Sequence, residues 1–151
     1  MSHVVTIDVH IKDLESLQKA CEEIGLDFME GQKTFKWFGR HIGDYAIPKL
    51  FTKGDMGKCD HALRVKGNSH AYEIGVCSRR DGKSGYIFMY DFWGGGYGLE
   101  KVVGKKLKIL TNAYTKAVAK KEAKAMARKK NYSVTESVNE KGEAVLTLRK
   151  Y

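Results

Sequence analysis

The sequence predicts an α+β fold: a single domain over residues 1–151, with an antiparallel or mixed sheet, two helices packed on it and a C-terminal hairpin. Two patterns support this prediction. Apolar residues alternate at a period of two near the N-terminus and in the middle of the chain, and they recur at helical spacing in two other stretches. The chain contains no internal repeat and no linker, and its 151 residues suffice for one sizeable core.

The first predicted element is a strand that leads into a helix. Apolar and polar residues alternate over residues 3–11, which is typical of a half-buried strand. Asp13 is suited to cap the start of a helix, and Gly25 is suited to end it. Four residues at helical spacing form the apolar face between them: Leu14, Leu17, Cys21 and Ile24.

Residues 27–60 form a long excursion that is harder to assign. Glycines and the single proline, Pro48, interrupt it, and TFKWFGR is a candidate for a short strand. Long ordered excursions often carry function. We expect at least one of Trp37 and Phe38 to be exposed and to form part of a partner surface, because exposed large apolar groups often mark interfaces. The alternative is that both fill the core.

Residues 61–93 predict a three-stranded meander. The turns KGNS and RDGKSG separate the runs HALRV, AYEIGVCSR and YIFMYDFW. The third run carries an aromatic stripe: Tyr86, Phe88, Tyr90 and Phe92. The stretch KSGYIFMY partly resembles an RNA-recognition consensus, but Ile87 stands where a small residue belongs. We therefore expect the stripe to face the core and not to form a platform on which bases stack.

Residues 99–130 predict a second helix, which is followed by the hairpin. Apolar residues from Val103 to Ala125 recur on one stripe of this helix, although Lys121 falls within the stripe. NYSVTESV and AVLTLRK then flank the turn NEKG, which is the pattern of a hairpin.

The net charge of +9 belongs to this predicted helix. Residues 101–130 hold eleven Lys or Arg and one acidic residue, Glu122, whereas the rest of the chain is about neutral. Such a helix is suited to bind a polyanion such as a nucleic acid. The alternative is that the helix faces solvent and that its charge serves only solubility. One solvent-facing sector holds Lys101, Lys105, Lys108 and Lys116. An adjoining sector holds Lys106, Lys120 and Lys124.

The cysteines and the N-terminus indicate the compartment. Cys21, Cys59 and Cys77 are an odd number and widely spaced, which favours reduced thiols over a disulfide framework. The N-terminus lacks the apolar core of a signal peptide, and no apolar run is long enough to span a bilayer. We expect a cytoplasmic protein with no membrane partner.

The stretch YDFWGGGYGLEKVVGKK, residues 90–106, raises the question of a phosphate-binding loop. Its glycines lie at 94, 95, 96 and 98, after a strand of a meander, so they do not fit a dinucleotide fingerprint. A Walker motif fails too, because Lys106 stands where Ser or Thr is needed. We expect a structural corner with Trp93 packed nearby and at least one glycine at positive φ. A backbone anion site at the following helix start is the open alternative.

The sequence offers little for metal binding or catalysis. Cys59, His61 and Cys77 are soft ligands, but their spacing is not that of a zinc site, and buried thiols with a turn histidine are the simpler interpretation. No nucleophile elbow or H-E-x-x-H occurs. A pair of carboxylates has no sequence signature, so that possibility stays open. We expect no metal, no cofactor and no enzymatic activity.

Three stretches resemble a family of uncharacterised proteins. The opening MSH, a strand and IKDLESL look like the start of the family of the hypothetical chloroplast open reading frame thirty-five, which has plastid, cyanobacterial and phage relatives. DFWG at 91–94 is similar to that family's Asp-aromatic-Trp-Gly. The stretch from Tyr114 through NYSV to LTLRK resembles its terminal helix and hairpin. The resemblance implies a small protein of the plastid stroma, the bacterial cytosol or phage-infected cells, and it implies no activity.

These observations lead to two functional hypotheses. In the first, a non-enzymatic binding protein contacts RNA or DNA through residues 101–130. Its phosphate contacts would be Lys105, Lys108, Lys116 and Lys120, and Trp37 or Tyr97 would stack on bases. In the second, the protein is an adaptor or inhibitor whose basic helix docks on an acidic surface of a cellular protein, and in phage-infected cells that surface would belong to the host.

Overall fold

A computed structural model gives the fold of residues 4–39, 46–129, 132–138 and 141–150. It describes side chains over residues 11–39, 46–129 and 141–147. Some predictions fall outside the described residues, namely those on the opening MSH, on the half-burial of residues 3–10, on Lys130 and on the first half of the NEKG turn.

The described part of the chain is an α+β fold with one main antiparallel sheet. The strands of this sheet lie in the order β1-β5-β4-β3-β2, and each neighbouring pair is antiparallel. β6 and β7 pair as a separate antiparallel hairpin, as predicted. The elements in chain order are β1 (Val4–Ile11), α1 (Leu14–Ile24), β2 (Leu26–Met29), β3 (His61–Val65), β4 (Ile74–Ser78), β5 (Tyr86–Asp91), α2 (Leu99–Val103), α3 (Lys108–Lys129), β6 (Tyr132–Val138) and β7 (Ala144–Lys150).

The sheet separates two apolar cores, because successive side chains of a strand point to opposite faces. Phe88 of β5 is fully buried on the face that α1 and α3 cover, in one cluster with Leu17 and Leu110. Its neighbour Met89 is buried on the other face, where Phe35 of the excursion packs on it. The molecule therefore has three layers: helices, sheet and excursion.

The aromatic stripe of β5 faces the helix-side core, which confirms the prediction. Phe88 and Tyr90 are buried, and Tyr86 and Phe92 at the two ends are half-buried against the same cluster. The rings of Tyr90 and Phe92 lie 4.6 Å apart between centroids. These residues stabilise the core and do not present a surface for bases.

The predicted ends of α1 are confirmed. Asp13 adopts extended φ and ψ, and its carboxylate accepts a hydrogen bond from the N–H of Ser16 at 3.2 Å. Gly25 has φ 90°, and its N–H donates to the carbonyl of Cys21. This left-handed cap is one that a residue with a β-carbon adopts only at a cost.

A buried tyrosine fixes α3 to the start of α1. The hydroxyl oxygen of Tyr114 accepts hydrogen bonds from the N–H groups of Lys12 and Asp13, at 3.1 and 3.2 Å. Two backbone donors at the start of α1 are thereby satisfied by one side chain that lies about 100 residues later. This contact sets the position of the basic helix on the sheet.

The single helix predicted over residues 99–130 is wrong, because the chain breaks after α2. Gly104 adopts φ 83° and ψ 164°, which ends α2, and Lys106 and Leu107 both adopt positive φ. Leu107 is fully buried, so its side chain holds this irregular turn against the core. Lys101 and Lys105 consequently lie outside α3.

The assignment of the region between α1 and β3 needs two corrections. The sequence did not predict β2, which pairs with β3 in the register Leu26↔Val65 to Met29↔Ala62. The candidate strand TFKWFGR is not a strand, since its described residues contribute only the isolated bridge Thr34↔Lys58.

Trp37 and Phe38 are both half-buried, so the expectation that at least one is exposed is wrong. The indole of Trp37 covers Gly57 so closely that a β-carbon there would lie 2.3 Å from its Nε1 atom. The ring of Phe38 packs on Trp93 with 5.2 Å between centroids. Neither side chain is fully buried, so the alternative that both fill the core does not hold either.

Within the described ranges, no helix combines the length and the apolar character that crossing a bilayer requires.

Candidate nucleic-acid interface

The glycine turn, residues 94–98, is a left-handed corner between β5 and α2, which confirms the expected structural role. Its four glycines adopt φ from 63° to 111°, and Tyr97 among them adopts φ 53°. A left-handed conformation costs a residue with a β-carbon about 1–2 kcal/mol. Glycine is therefore suited to this run, and Tyr97 is its one strained member.

The loop between β3 and β4 holds the glycine turn in place. The N–H of Tyr72 donates to the carbonyl of Gly96 at 2.8 Å. The side-chain amide of Asn68 donates to the carbonyl of Tyr97 at 3.2 Å. A β-carbon at Gly98 would lie 2.8 Å from the nitrogen of that amide and would displace it, and φ 111° at this position also favours glycine.

The buried carboxylate of Asp91 connects the turn to the excursion. Its two oxygens accept hydrogen bonds from the N–H of Trp93 at 2.9 Å and from the N–H of Phe38 at 3.1 Å. Asp91 is fully buried, and a buried carboxylate needs such donors. The DFWG motif thus supplies both the acceptor and the ring that packs on Phe38.

Tyr97 is the exposed aromatic residue in the part of the chain whose side chains are described, with 48% of its surface accessible. Its ring contacts Tyr72 edge-on at 5.1 Å and Trp93 at 6.0 Å between centroids. Gly94 lies against it, since a β-carbon there would be 3.7 Å from the ring. One side of the ring is therefore braced by protein, and the rest of it is open.

An open cavity of about 460 Å³ is lined by Gly94, which lies against the ring of Tyr97, although Tyr97 itself does not line it. Its lining combines Gly94, Gly95 and Gly98 of the glycine turn with Lys101, Gly104 and Lys105. Both lysines are exposed, and Glu100 is the acidic residue in the lining. The break after α2 thus brings two lysine side chains to the corner that carries Tyr97.

The structure divides the basic residues that the sequence placed on two sectors. Four exposed lysines form what we call the front lysine group: Lys101, Lys105, Lys106 and Lys108. At the far end of α3 lie Lys124, Arg128 and Lys129, also exposed. At 1.5 Å per residue the two ends are separated by roughly 24 Å or more. One short ligand cannot contact both groups.

The middle of α3 is neutralised by α1. Lys116 forms an ion pair with Glu23 at the end of α1, and Lys121 forms ion pairs with Asp13 and Glu15 at its start. These contacts correct the prediction that Lys116 shares a free sector with Lys108. Eight residues apart on a helix, the two side chains diverge by about 80°.

Lys120 is half-buried and lines a groove between α3, the end of α1 and the hairpin. Hairpin residues Glu143 and Leu146 line the same groove. Of the lysines predicted to contact phosphates, Lys105 and Lys108 lie at the exposed front, whereas Lys116 and Lys120 do not. Lys101 lies with these two residues in the front lysine group. Because α2 ends at Gly104, Lys101 and Lys105 line the same cavity.

The candidate metal ligands do not form one site. The ring of His61 packs between Phe28 and Tyr86 on the helix side of the sheet, and its Nδ1 accepts from the N–H of Gly31 at 2.9 Å. Cys59 and Cys77 belong to the core on the opposite face. His61 is also a strand residue and not a turn residue. Among the described residues, no other group of three or more His, Cys, Asp or Glu is placed to bind a metal.

The three cysteines are buried thiols, as the simpler interpretation held. Burial is the main cause that raises the pKa of each, Cys21, Cys59 and Cys77, to about 12. The reactive thiolate form is therefore disfavoured at neutral pH.

Comparison with models of protein families, with curated protein sequences and with solved structures gives no match for this chain. The resemblance to the family of the hypothetical chloroplast open reading frame thirty-five accordingly stays a prediction, carried by the quoted motifs.

Proposed function

We propose that the protein is a non-enzymatic binding protein that contacts RNA or DNA with the front lysine group and Tyr97. The observation that supports this most directly is an exposed, braced aromatic ring beside a cavity lined by Lys101 and Lys105. Lysines that neutralise phosphates release counterions, and aromatic rings stack on bases. The two chemistries that nucleic-acid binding needs lie next to each other at this corner.

The charge distribution favours the front lysine group as the binding surface over the other basic residues of the segment 101–130, which we call the basic segment. The helix α1 neutralises Lys116 and Lys121, whereas no described acidic side chain forms an ion pair with a front lysine. A charge already paired within the fold gains less from a phosphate than an exposed, solvated one. The binding surface is therefore the start of the basic segment and not its whole length.

The test is the salt dependence of oligonucleotide binding by the full chain. The wild-type protein should lose on the order of tenfold affinity or more between low and moderate salt. Replacing Lys101, Lys105 and Lys108 by Gln should lower the slope of log affinity against log salt by about 2 on a single strand, since each phosphate contact contributes about 0.7.

The matched control removes the same charge from the excursion layer. Lys49, Lys53 and Lys58 are exposed on the opposite side of the sheet, and their replacement by Gln should leave the slope unchanged. Absence of binding at low salt, or equal slopes for the two triple variants, contradicts the proposal. A protein partner that survives nuclease treatment would favour the adaptor function instead.

A further inference from the structure

We infer that the ligand of this surface is a single-stranded nucleic acid, one of whose unpaired bases stacks on Tyr97. This inference rests on the proposed function and names its substrate class. Three properties of Tyr97 support it: its backbone conformation, the contacts of its ring with Tyr72 and Trp93, and its exposure.

The backbone conformation of Tyr97 costs free energy that glycine would avoid. Tyr97 adopts φ 53° and ψ 41°, and each of its four companions in the turn is glycine. Positive φ is uncommon for bulky residues and clusters at binding sites. Three of the four non-glycine residues with positive φ in the described chain, namely Tyr97, Lys106 and Leu107, flank in sequence the residues that line the cavity. The strained backbone therefore lies immediately before and after the segment that carries Lys101 and Lys105.

The ring of Tyr97 is held in one orientation before any ligand arrives. Tyr72 and Trp93 contact it from the protein side, and Asn68 fixes its carbonyl. Burial is the main cause that raises the pKa of the Tyr72 hydroxyl, with a further contribution from Tyr97. A ring fixed in this way loses little conformational entropy on binding, which strengthens stacking.

Stacking requires an unpaired base, and this requirement distinguishes a single strand from a duplex. In a duplex the faces of the bases are covered by their neighbours, so only phosphates and groove edges are accessible. The turn that carries Tyr97 is a left-handed corner, and it is neither the α-helix nor the β-ribbon that the major groove admits. A duplex can therefore use only the lysines, whereas a single strand can use the lysines and the ring.

The experiment compares two probes: a labelled mixed-sequence DNA strand of about 16 nucleotides and the duplex formed with its complement. Both are titrated with the full chain at one low salt concentration, and the same strand is also made as RNA. The variant Tyr97→Asn removes the ring while keeping a side chain that tolerates left-handed backbone. The variant Tyr97→Phe restores the ring. Melting temperatures of both variants show whether the fold is kept.

The single strand should bind roughly tenfold more tightly than the duplex to the wild-type protein. This ratio should fall towards one in Tyr97→Asn and return in Tyr97→Phe. Equal affinities for strand and duplex, with Tyr97→Asn like wild type, overturn the single-strand inference while the lysine-dependent function stands. Absence of binding to every probe overturns both.

Discussion

The Nζ atom of Lys121 on α3 lies 2.8 Å from the Oδ2 atom of Asp13, the residue that caps α1. In the sequence, Lys121 interrupts an apolar stripe. In the structure it reaches over the start of α1, where it also pairs with Glu15 at 3.4 Å. The lysine that breaks the helical pattern is therefore a contact between two helices.

This contact predicts a dependence of stability on acid pH. The pKa of Asp13 is lowered to about 2, first by the hydrogen bond from Lys121 and then by those from Ser16, while burial acts in the opposite direction. Because the unfolded value is about 4, the contribution to stability is complete above pH 4 and is lost as pH falls towards 2. The effect should be small, since Lys121 is exposed and Asp13 is only half-buried, so that solvent screens the pair.

The measurement compares the melting temperatures of the wild type and Asp13→Asn across this pH range. Asn keeps the cap and removes the charge. The wild type should be more stable at neutral pH, and the difference should shrink as pH falls from about 4 to about 2. A difference that does not change with pH would show that the charge of Asp13 contributes nothing.

A pair of glycine substitutions tests the left-handed corner. Gly95→Ala should lower the free energy of unfolding by about 1–2 kcal/mol, which is the cost of a β-carbon at φ 68°. No steric term is added, because no atom would lie within 4 Å of that β-carbon. Gly96→Ala should destabilise more, since its β-carbon would lie 2.9 Å from the Cβ of Leu99. Denaturant unfolding gives both values. Equal losses in the two variants would contradict the steric account.

Substitutions at Lys116 and Lys108 test whether the front lysine group binds the ligand and the middle of α3 does not. Lys116→Gln should leave oligonucleotide affinity within about twofold of wild type and slightly lower the free energy of unfolding, because it breaks the ion pair with Glu23. Lys108→Gln should weaken binding at low salt and leave stability unchanged. Anisotropy titrations and denaturant unfolding of both variants check this. The reverse pattern would place the interface on the middle of α3.

Removal of the Glu100 charge should strengthen oligonucleotide binding, whereas removal of a front lysine should weaken it. Glu100 lines the cavity with Lys101 and Lys105, so its carboxylate repels a phosphate that approaches them. Glu100→Gln should therefore raise oligonucleotide affinity severalfold at low salt, and the gain should fade as salt screens the charge. Unchanged or weaker binding at low salt would mean that no phosphate approaches this cavity.

Local patterns in the sequence predict much of the fold. The strand β1, the caps at Asp13 and Gly25 and the meander depend on neighbouring residues, and the structure confirms them. β2 could not be predicted in this way. It is only four residues long, and its pairing with β3 joins residues as far apart as Leu26 and Val65. Short strands fixed by distant partners leave little local signal.

The candidate site was predictable in its residue types but not in its arrangement. The excess of lysine and the run of glycines can be seen directly in the sequence. The break at Gly104 depends on a buried leucine, Leu107, that tolerates positive φ, and this is set by packing. The pairing of Lys116 with Glu23 likewise depends on how α3 crosses α1. Tertiary contacts therefore decide which lysines are exposed to a ligand.

The most direct test of the central claim is ultraviolet crosslinking of the full chain to nucleic acid in a lysate of its native host. Mass spectrometry of the digested protein then locates the modified residue. We predict a nucleotide adduct on Tyr97, which is exposed at the corner that Lys101 and Lys105 share. Adducts confined to Trp37 on the opposite side of the sheet, or no adduct at all, would contradict the account.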